Sequence, residues 1–326
     1  MKTKKIVTSQ GFNLIGYEGD LIPEAIEKFG FWECGLTLLM SHYIKKGDTV
    51  MDIGANLGYD SVLSSHLVGE KGHVYSFEPV PRTYNILLEN IKNNKCKNVT
   101  PFNYAAFNKH TITYITENPS KLTENVTGNI LGTPFKYNDN IGGISLIKDG
   151  SEKMVGGHQI ELKLIVLDDL FPKYSHFDFI KMDIEGAEPC AFEGMHNILT
   201  NNPNVTVVIE YSPNFFKSQL CHIDKMVDYF KINDYTPYIP VCTDWDSSDM
   251  KTKLSMNKLT WQKINESEDQ IESIAFIKNN INISESISRY TVGDLYRNLI
   301  LDQSESIFDR NIKEDYTAIS ENHYDL

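Results

Sequence analysis

The 326-residue chain contains no run of about 18 apolar residues, which excludes a membrane-spanning helix. Its opening MKTKK leads into VTSQGFN where a signal peptide would place an apolar stretch, so no secretory leader is expected. Positive charge is scarce: the formal net charge is −13, and no basic run is interleaved with aromatics. Such a surface repels phosphodiester backbones, so nucleic acid is not expected as a partner. Cysteine is sparse as well. Cys34, Cys96, Cys190, Cys221 and Cys242 are odd in number and lack CxxC spacing, which argues against zinc and for reduced thiols in a cytoplasmic protein. Neither a Gly-Lys-Ser/Thr phosphate loop nor a complete G-x-G-x-x-G pattern is present.

What is present begins at residues 49–61, TVMDIGANLGYDS, which reads as a buried strand breaking into a glycine turn and then a helix. Gly54 and Gly58 permit a tight turn and close approach of a ligand to the backbone. Asp52, at the strand end, would repel a pyrophosphate but attract a cationic amino or sulfonium group. The next apolar strand, HVYSFEP at 73–79, ends on Glu78, some 20 residues after the turn. That separation suits a carboxylate accepting hydrogens from both ribose hydroxyls in a doubly wound sheet. A plain strand-to-helix turn and an ordinary exposed glutamate are the structural alternatives.

DIGANLGYDS, SFEPVPRTYNILLENI, LDDL and DFIKMDIEGAE follow one another in an order that resembles the FkbM-type S-adenosylmethionine-dependent methyltransferases, over roughly residues 30–280. The resemblance implies a Rossmann-like class I α/β fold: a doubly wound, seven-stranded, mostly parallel sheet with helices on both faces. It also implies S-adenosylmethionine as cofactor and methyl transfer to oxygen, without identifying the acceptor. The cofactor-binding candidates are Asp52, Gly54, Ala55, Asn56, Gly58, Ser61, Glu78 and Pro79. Asn103 and Ala105 join them at the end of a third strand (99–105), where a small residue leaves space for the adenine ring.

The predicted organisation is a helical lead-in (1–48), a methyltransferase domain (49–280) and an acidic extension (281–326) that could pair subunits into a homo-oligomer. The 31–44 segment has helical periodicity; the resemblance implies a glutamate here that approaches the cofactor pocket, so Glu33 is considered, beside its reading as a solvated helix residue, and is not assigned. Residues 118–158 are rich in Asn, Gly, Thr and Ser, predicting a long inserted loop; NIGGISL at 140–146 resembles a segment that lies over the active site in that family, which implies a lid or acceptor-binding element, with a surface excursion as the alternative. Trp245 and Trp261 either stack on a sugar or anchor a flap, and residues 290–308 have the periodicity of a helix.

The densest chemistry is FDFIKMDIEGAE at 177–188. Asp183 and Glu185 should face the crevice beyond the carboxyl ends of the strands, with Glu210 converging from the next strand. Lys181, inside a strand covered on both faces, could orient these carboxylates or, if desolvated, act as a base. Asp183, Lys181, Glu185 and Glu210 are therefore the catalytic candidates. Asp183, Glu185 and Glu210 could also hold a hard divalent ion, but a metal-free site hydrogen-bonding a small-molecule, sugar or glycan hydroxyl is preferred, and no metal ligand is assigned. A catalytically silent nucleoside-binding module is the alternative from another functional class. A nicotinamide enzyme is disfavoured by Asp52 and the missing third glycine.

Overall fold

The computed structural model describes residues 2–117, 126–130, 133–137, 158–211, 223–246, 251–261, 264, 271–279 and 290–291. The lead-in differs from the all-helical expectation, because it opens on an antiparallel hairpin, β1 (Thr3–Val7) and β2 (Asn13–Tyr17). Helix α1 (Leu21–Phe29) follows, its first amide capped by the Asp20 carboxylate and its end set by Gly30 in the left-handed region. Ile22, Ala25, Ile26 and Phe29 recur at helical spacing and are buried. Helix α2 (Cys34–Tyr43) starts after Glu33, a non-glycine residue at φ 39°.

The alternating strands and helices come next: β3 (Thr49–Ile53), α3 (Tyr59–Val68), β4 (His73–Phe77), α4 (Pro81–Asn93) and β5 (Val99–Phe102). Chain order then gives β6 (Ala105–Ala106), β7 (Thr111–Glu117), β8 (Val126–Ile130), β9 (Thr133–Tyr137), β10 (His158–Ile165) and α5 (Leu167–Leu170). The remainder is β11 (Phe179–Met182), α6 (Glu188–Glu193), α7 (His196–Asn201), β12 (Thr206–Tyr211), α8 (Ile223–Ile232), β13 (Tyr235–Asp246), β14 (Lys251–Lys258), β15 (Ile271–Lys278) and β16 (Tyr290–Thr291).

The main sheet has nine strands in the order β16–β14–β13–β15–β12–β11–β3–β4–β5. From β5 to β12 all neighbours are parallel, and β15 runs antiparallel to both β12 and β13. The stretch from β5 to β13 is the expected seven-stranded, mostly parallel sheet, and β14 and β16 extend its edge. Alternation along the strands divides the core between two faces. Val50, Val74, Phe179 and Val208 pack with the lead-in and α3. Met51, Phe77, Ile180 and Val207 face the other layer, with Ala191, Leu199 and Phe230 from α6, α7 and α8. Each large apolar side chain buried in this way contributes about 1.5–3 kcal/mol.

Four further expectations change. HQIELKLIVLDDL, from residue 158, reads as a strand returning towards the main sheet, but β10 pairs instead with β6 and β7 in a separate three-stranded sheet. The predicted third strand therefore divides, and Ala105 belongs to the small sheet. The 118–158 stretch contains the hairpin β8–β9, while 140–146 lies outside the described residues. Tyr290 and Thr291, predicted to begin a helix, form β16, and 292–326 lie outside the described residues. Trp261 stacks near Phe276 at 6.2 Å between ring centroids and so anchors its segment, whereas the side chain of Trp245 is not described.

The reading of the cysteines as reduced thiols is overturned. Cys34 and Cys242 form a disulfide, Cys190 is disulfide-bonded too, and Cys96 is the free cysteine among the described residues. Scattered spacing hid this, because the first bridge spans 208 residues. Structural disulfides persist in oxidising compartments. The case for a cytoplasmic location, which rested on free thiols, falls with them. No helix among the described residues is long and apolar enough to cross a membrane.

Candidate active site

The sheet order reverses direction between β3 and β11, and in open α/β sheets ligands sit at that point beyond the carboxyl ends of the strands. A pocket of about 630 Å³, counting its open mouth, lies there. Gly54, Asn56, Glu78, Pro79, Ala105, Asp183 and Glu185, all predicted site residues, line it. Tyr104, Ala106 and Ile184 line it too and were not singled out, although each adjoins a residue that was.

The turn after β3 is fastened to its neighbours. The amides of Gly54 and Ala55 both donate to the Phe77 carbonyl, at 2.9 and 2.8 Å, and Asp183 donates its amide to the Ile53 carbonyl at 3.0 Å. The glycines are also required by protein packing, beyond the ligand approach expected of them. A Cβ on Gly54 would lie 1.8 Å from the Asp183 carbonyl oxygen, and one on Gly58 would lie 2.6 Å from Leu87 Cδ1. Both glycines also have positive φ, 83° and 93°. Asn56, at φ 50°, tolerates the left-handed region, and its side chain accepts the Leu57 amide at 2.7 Å.

Glu78 is 6% exposed and held from two sides. Its Oε2 accepts from the Asn56 amide at 3.0 Å and its Oε1 from the Val80 amide at 2.9 Å. Burial pushes its pKa up to about 7, against the opposing pull of those two amides. Asn103 braces this corner by donating to the carbonyls of Glu78 and Pro79, at 2.8 and 3.0 Å. Its side-chain amide is thus committed to the backbone.

Behind the turn lies a buried charge cluster. Asp52 is fully buried and accepts a 2.6 Å hydrogen bond from Ser61, whose hydroxyl also lies 2.8 Å from that of Ser76. The cation Asp52 meets is Lys181, at 3.5 Å, and both residues sit behind the pocket. Lys181 also lies 3.6 Å from Asp60 and 3.7 Å from Asp183, and donates to the Gly54 carbonyl at 2.9 Å. Burial alone would lower the Lys181 pKa, but Asp52, Asp183, Asp60 and Glu33 outweigh it and hold it above the ordinary lysine value. Its contacts make Lys181 the cation that binds three acids and the turn together, and the raised pKa disfavours the expected alternative of a base. Asp60 lies within DIGANLGYDS and is not among the predicted site residues. Its pKa is raised, mainly by burial, with Lys181 opposing.

At the far wall Asp183 keeps its side chain 30% exposed. Glu185, at φ 55°, lines the mouth beside it. Each of Asp183, Glu188 and Glu210 brings a carboxylate oxygen within 4.8 Å of the other two. The acidic trio anticipated as Asp183, Glu185 and Glu210 therefore has Glu188 in place of Glu185. Glu188 stands at the first position of α6, and its Oε1 accepts the Ile184 amide at 2.8 Å, which turns the carboxylate back over the turn. Burial, above all, lifts its pKa to about 8, with Asp183 and Glu185 adding to the rise.

Sheet order and pocket together define a Rossmann-like class I methyltransferase fold. Residues 52–237 match the Methyltransferase FkbM domain, and the chain belongs to that family of S-adenosylmethionine-dependent methyltransferases. Among curated proteins it is 30% identical over 129 residues to the protein-L-isoaspartate O-methyltransferase of Fervidobacterium nodosum, covering 36% of this chain and 65% of that protein. The corresponding enzyme of Thermosipho melanesiensis is 32% identical over 96 residues, covering 26% and 48%. The chain thus spans about half to two thirds of the length of these relatives. A solved S-adenosylmethionine-dependent O-methyltransferase from Thermotoga maritima is similar at 11% identity and a TM-score of 0.37, covering 86% of this chain and 79% of that one.

Proposed function

We propose that the protein transfers the methyl group of S-adenosylmethionine to a hydroxyl oxygen of a sugar, glycan or secondary-metabolite acceptor. The observation that carries this reading is the charge around the pocket: Asp183 and Glu78 line it, and behind it Asp52 and Asp60 join Asp183 around Lys181, the one cation they pair with among the described residues. Excess negative charge in a desolvated site favours a sulfonium over a pyrophosphate. Glu78, fixed on two amides, is preorganised to accept the ribose hydroxyls, and Ala105 and Ala106 leave room for a flat base. Gly54, Ala55, Asn56, Gly58 and Pro79 shape the turn and rim, while Ser61 and Asn103 brace them from behind.

S-adenosylmethionine supplies an electrophilic methyl, so the chain's own task is to align an acceptor oxygen and exclude water. Alignment contributes on the order of 7–11 kcal/mol in the best cases, and proton removal adds roughly 10²- to 10⁴-fold. Asp183 is the best placed general base, being part-exposed on the pocket wall, with Glu185 and Glu210 able to hold neighbouring hydroxyls. The curated relatives act, by their names, on protein isoaspartate. An acceptor carboxylate would be repelled by the acids at this mouth, and a neutral hydroxyl would not.

Calorimetric titration with S-adenosylhomocysteine and with NAD tests the donor, and a labelled-methyl screen of extracts from the native cell tests the acceptor. Binding of S-adenosylhomocysteine with label moving to an alkali-stable ether is the expected result. Binding of NAD alone, or label appearing only as alkali-labile ester, would overturn the proposal.

A further inference from the structure

We infer that Asp183, Glu188 and Glu210 form a divalent-cation site on the acceptor side of the pocket. This inference rests on the hydroxyl-methylation reading for the cation's purpose, but its geometry stands alone. The three residues come from the end of β11, the start of α6 and the end of β12, so two neighbouring strands and the helix that follows one of them converge at one point. Their nearest carboxylate oxygens lie within 4.8 Å of one another. Oxygens sharing one ion at 2.3–2.6 Å lie no more than about 5 Å apart, so the cluster has the span of one hard cation's ligand shell.

The second observation concerns Glu188. The residue is fully buried, its Oε1 is taken by the Ile184 amide, and its Oε2 has no hydrogen-bond partner among the described residues. A buried carboxylate oxygen without a donor is costly and calls for an explanation. Lys181 does not provide one: the carboxylates it pairs with among the described residues are Asp52, Asp60 and Asp183. A divalent ion would satisfy the Glu188 oxygen and offset the mutual repulsion of the three acids.

The all-oxygen donor set selects a hard ion such as Mg²⁺, Mn²⁺ or Ca²⁺ over zinc. Asp183 is part-exposed and borders the pocket, so open coordination positions would face the acceptor. A hydroxyl oxygen drawn to the ion would lose its proton more readily to solvent or to the second carboxylate oxygen of Asp183, since each residue offers the ion one oxygen. The oxygen–carbon bond would then form as the sulfur–carbon bond breaks, leaving a neutral thioether.

The test is titration of the chelator-treated full chain with Mn²⁺, following the free-ion signal by electron paramagnetic resonance, with and without S-adenosylhomocysteine. One Mn²⁺ per chain is expected, displaced by Mg²⁺ or Ca²⁺, with affinity at least tenfold weaker in Glu188→Gln and in Glu210→Gln. Circular dichroism melting identifies any variant that fails to fold, and the other variant then decides. A chain that binds S-adenosylhomocysteine but no Mn²⁺, or one whose Mn²⁺ affinity neither variant changes, overturns the cation site and leaves the methyl-transfer reading intact. A chain that binds Mn²⁺ at this site but not S-adenosylhomocysteine keeps the cation site and sinks the methyl-transfer reading.

Discussion

The two halves of the sheet meet between β3 and β11 but are built differently. On the β3–β4–β5 side, proposed to hold the donor, each pocket group is fixed by short-range partners: Glu78 by the amides of Asn56 and Val80, and the Gly54 turn by Phe77. Asn90, fully buried, ties that side to the lead-in by accepting the Ile15 amide and donating to the carbonyls of Ile15 and Leu57. On the β11–β12 side the groups come from separate elements, and Asp183 remains partly open beside the fully buried Glu188. The contrast suits a donor that never varies and an acceptor side that must admit a particular molecule.

The largest expected effect separates the two halves. With an acceptor from the labelled-methyl screen, Asp183→Asn should lower kcat by roughly 10²- to 10⁴-fold, the range for a lost general base. Asp183 is 30% exposed, so solvent screening discounts its pair with the buried Lys181, and S-adenosylhomocysteine affinity should change far less than turnover. Steady-state kinetics beside calorimetry would check this split, and an affinity loss matching the turnover loss would place Asp183 on the donor side instead.

Lys181→Met removes the cation the two halves share and leaves Asp52 and Asp60 buried without it. Breaking a buried pair from one side costs about 3–5 kcal/mol, and urea unfolding should show a loss of that size. A loss below about 1 kcal/mol would mean the buried acids are neutral and the halves are not joined by charge.

The Cys34–Cys242 bridge ties α2 to β13, beyond the acceptor side, across 208 residues of chain. Replacing both cysteines by alanine should cost about 2–4 kcal/mol in thermal or urea unfolding. Hydrogen exchange should then show α2 and β13 losing protection while β3, β4 and β5 keep theirs. Uniform loss would make the sheet a single cooperative unit and dissolve the distinction between its halves.

Legibility followed the same division. Donor-side groups lie between Asp52 and Ala106, where strand period, glycine turn and strand-ending acid are local patterns that a sequence exposes. Asp183 and Glu210 were legible because strand ends in such a sheet share one rim. Glu188 was not, since its approach to Asp183 depends on the turn at Glu185 and Gly186, both at positive φ, which brings the start of α6 back over the strand end. That Asp52 meets Lys181 was not legible, because a strand-end acid facing a ligand and one facing a lysine on the next strand look alike in sequence. For Lys181 the sequence allows both an orienting cation and a base, and what favours the first is the placement around it of three acids from β3, α3 and the end of β11.

The smallest effect asks whether the fixed side also senses pH. In the free protein burial holds the Glu78 pKa near 7, so near neutrality an appreciable fraction of the carboxyl is protonated. Ribose hydroxyls donate to the ionised form, so binding should release a proton, and S-adenosylhomocysteine affinity should fall as pH drops from 8 towards 6. For the unliganded fold the sign is opposite. The unfolded chain ionises this group near 4.5 and the folded chain near 7, so its contribution favours the fold at low pH and is lost as pH climbs between those values. Asp60 and Glu188 are raised too and act on stability in the same direction. Calorimetry on Glu78→Gln isolates the residue: affinity should drop by about 1.5–3 kcal/mol at pH 8, the worth of hydrogen bonds to a charged group, and its dependence between pH 6 and 8 should flatten. If the slope persists in Glu78→Gln, the proton belongs to the Asp60–Lys181 cluster, and the donor side would be no more rigidly assigned than the acceptor side.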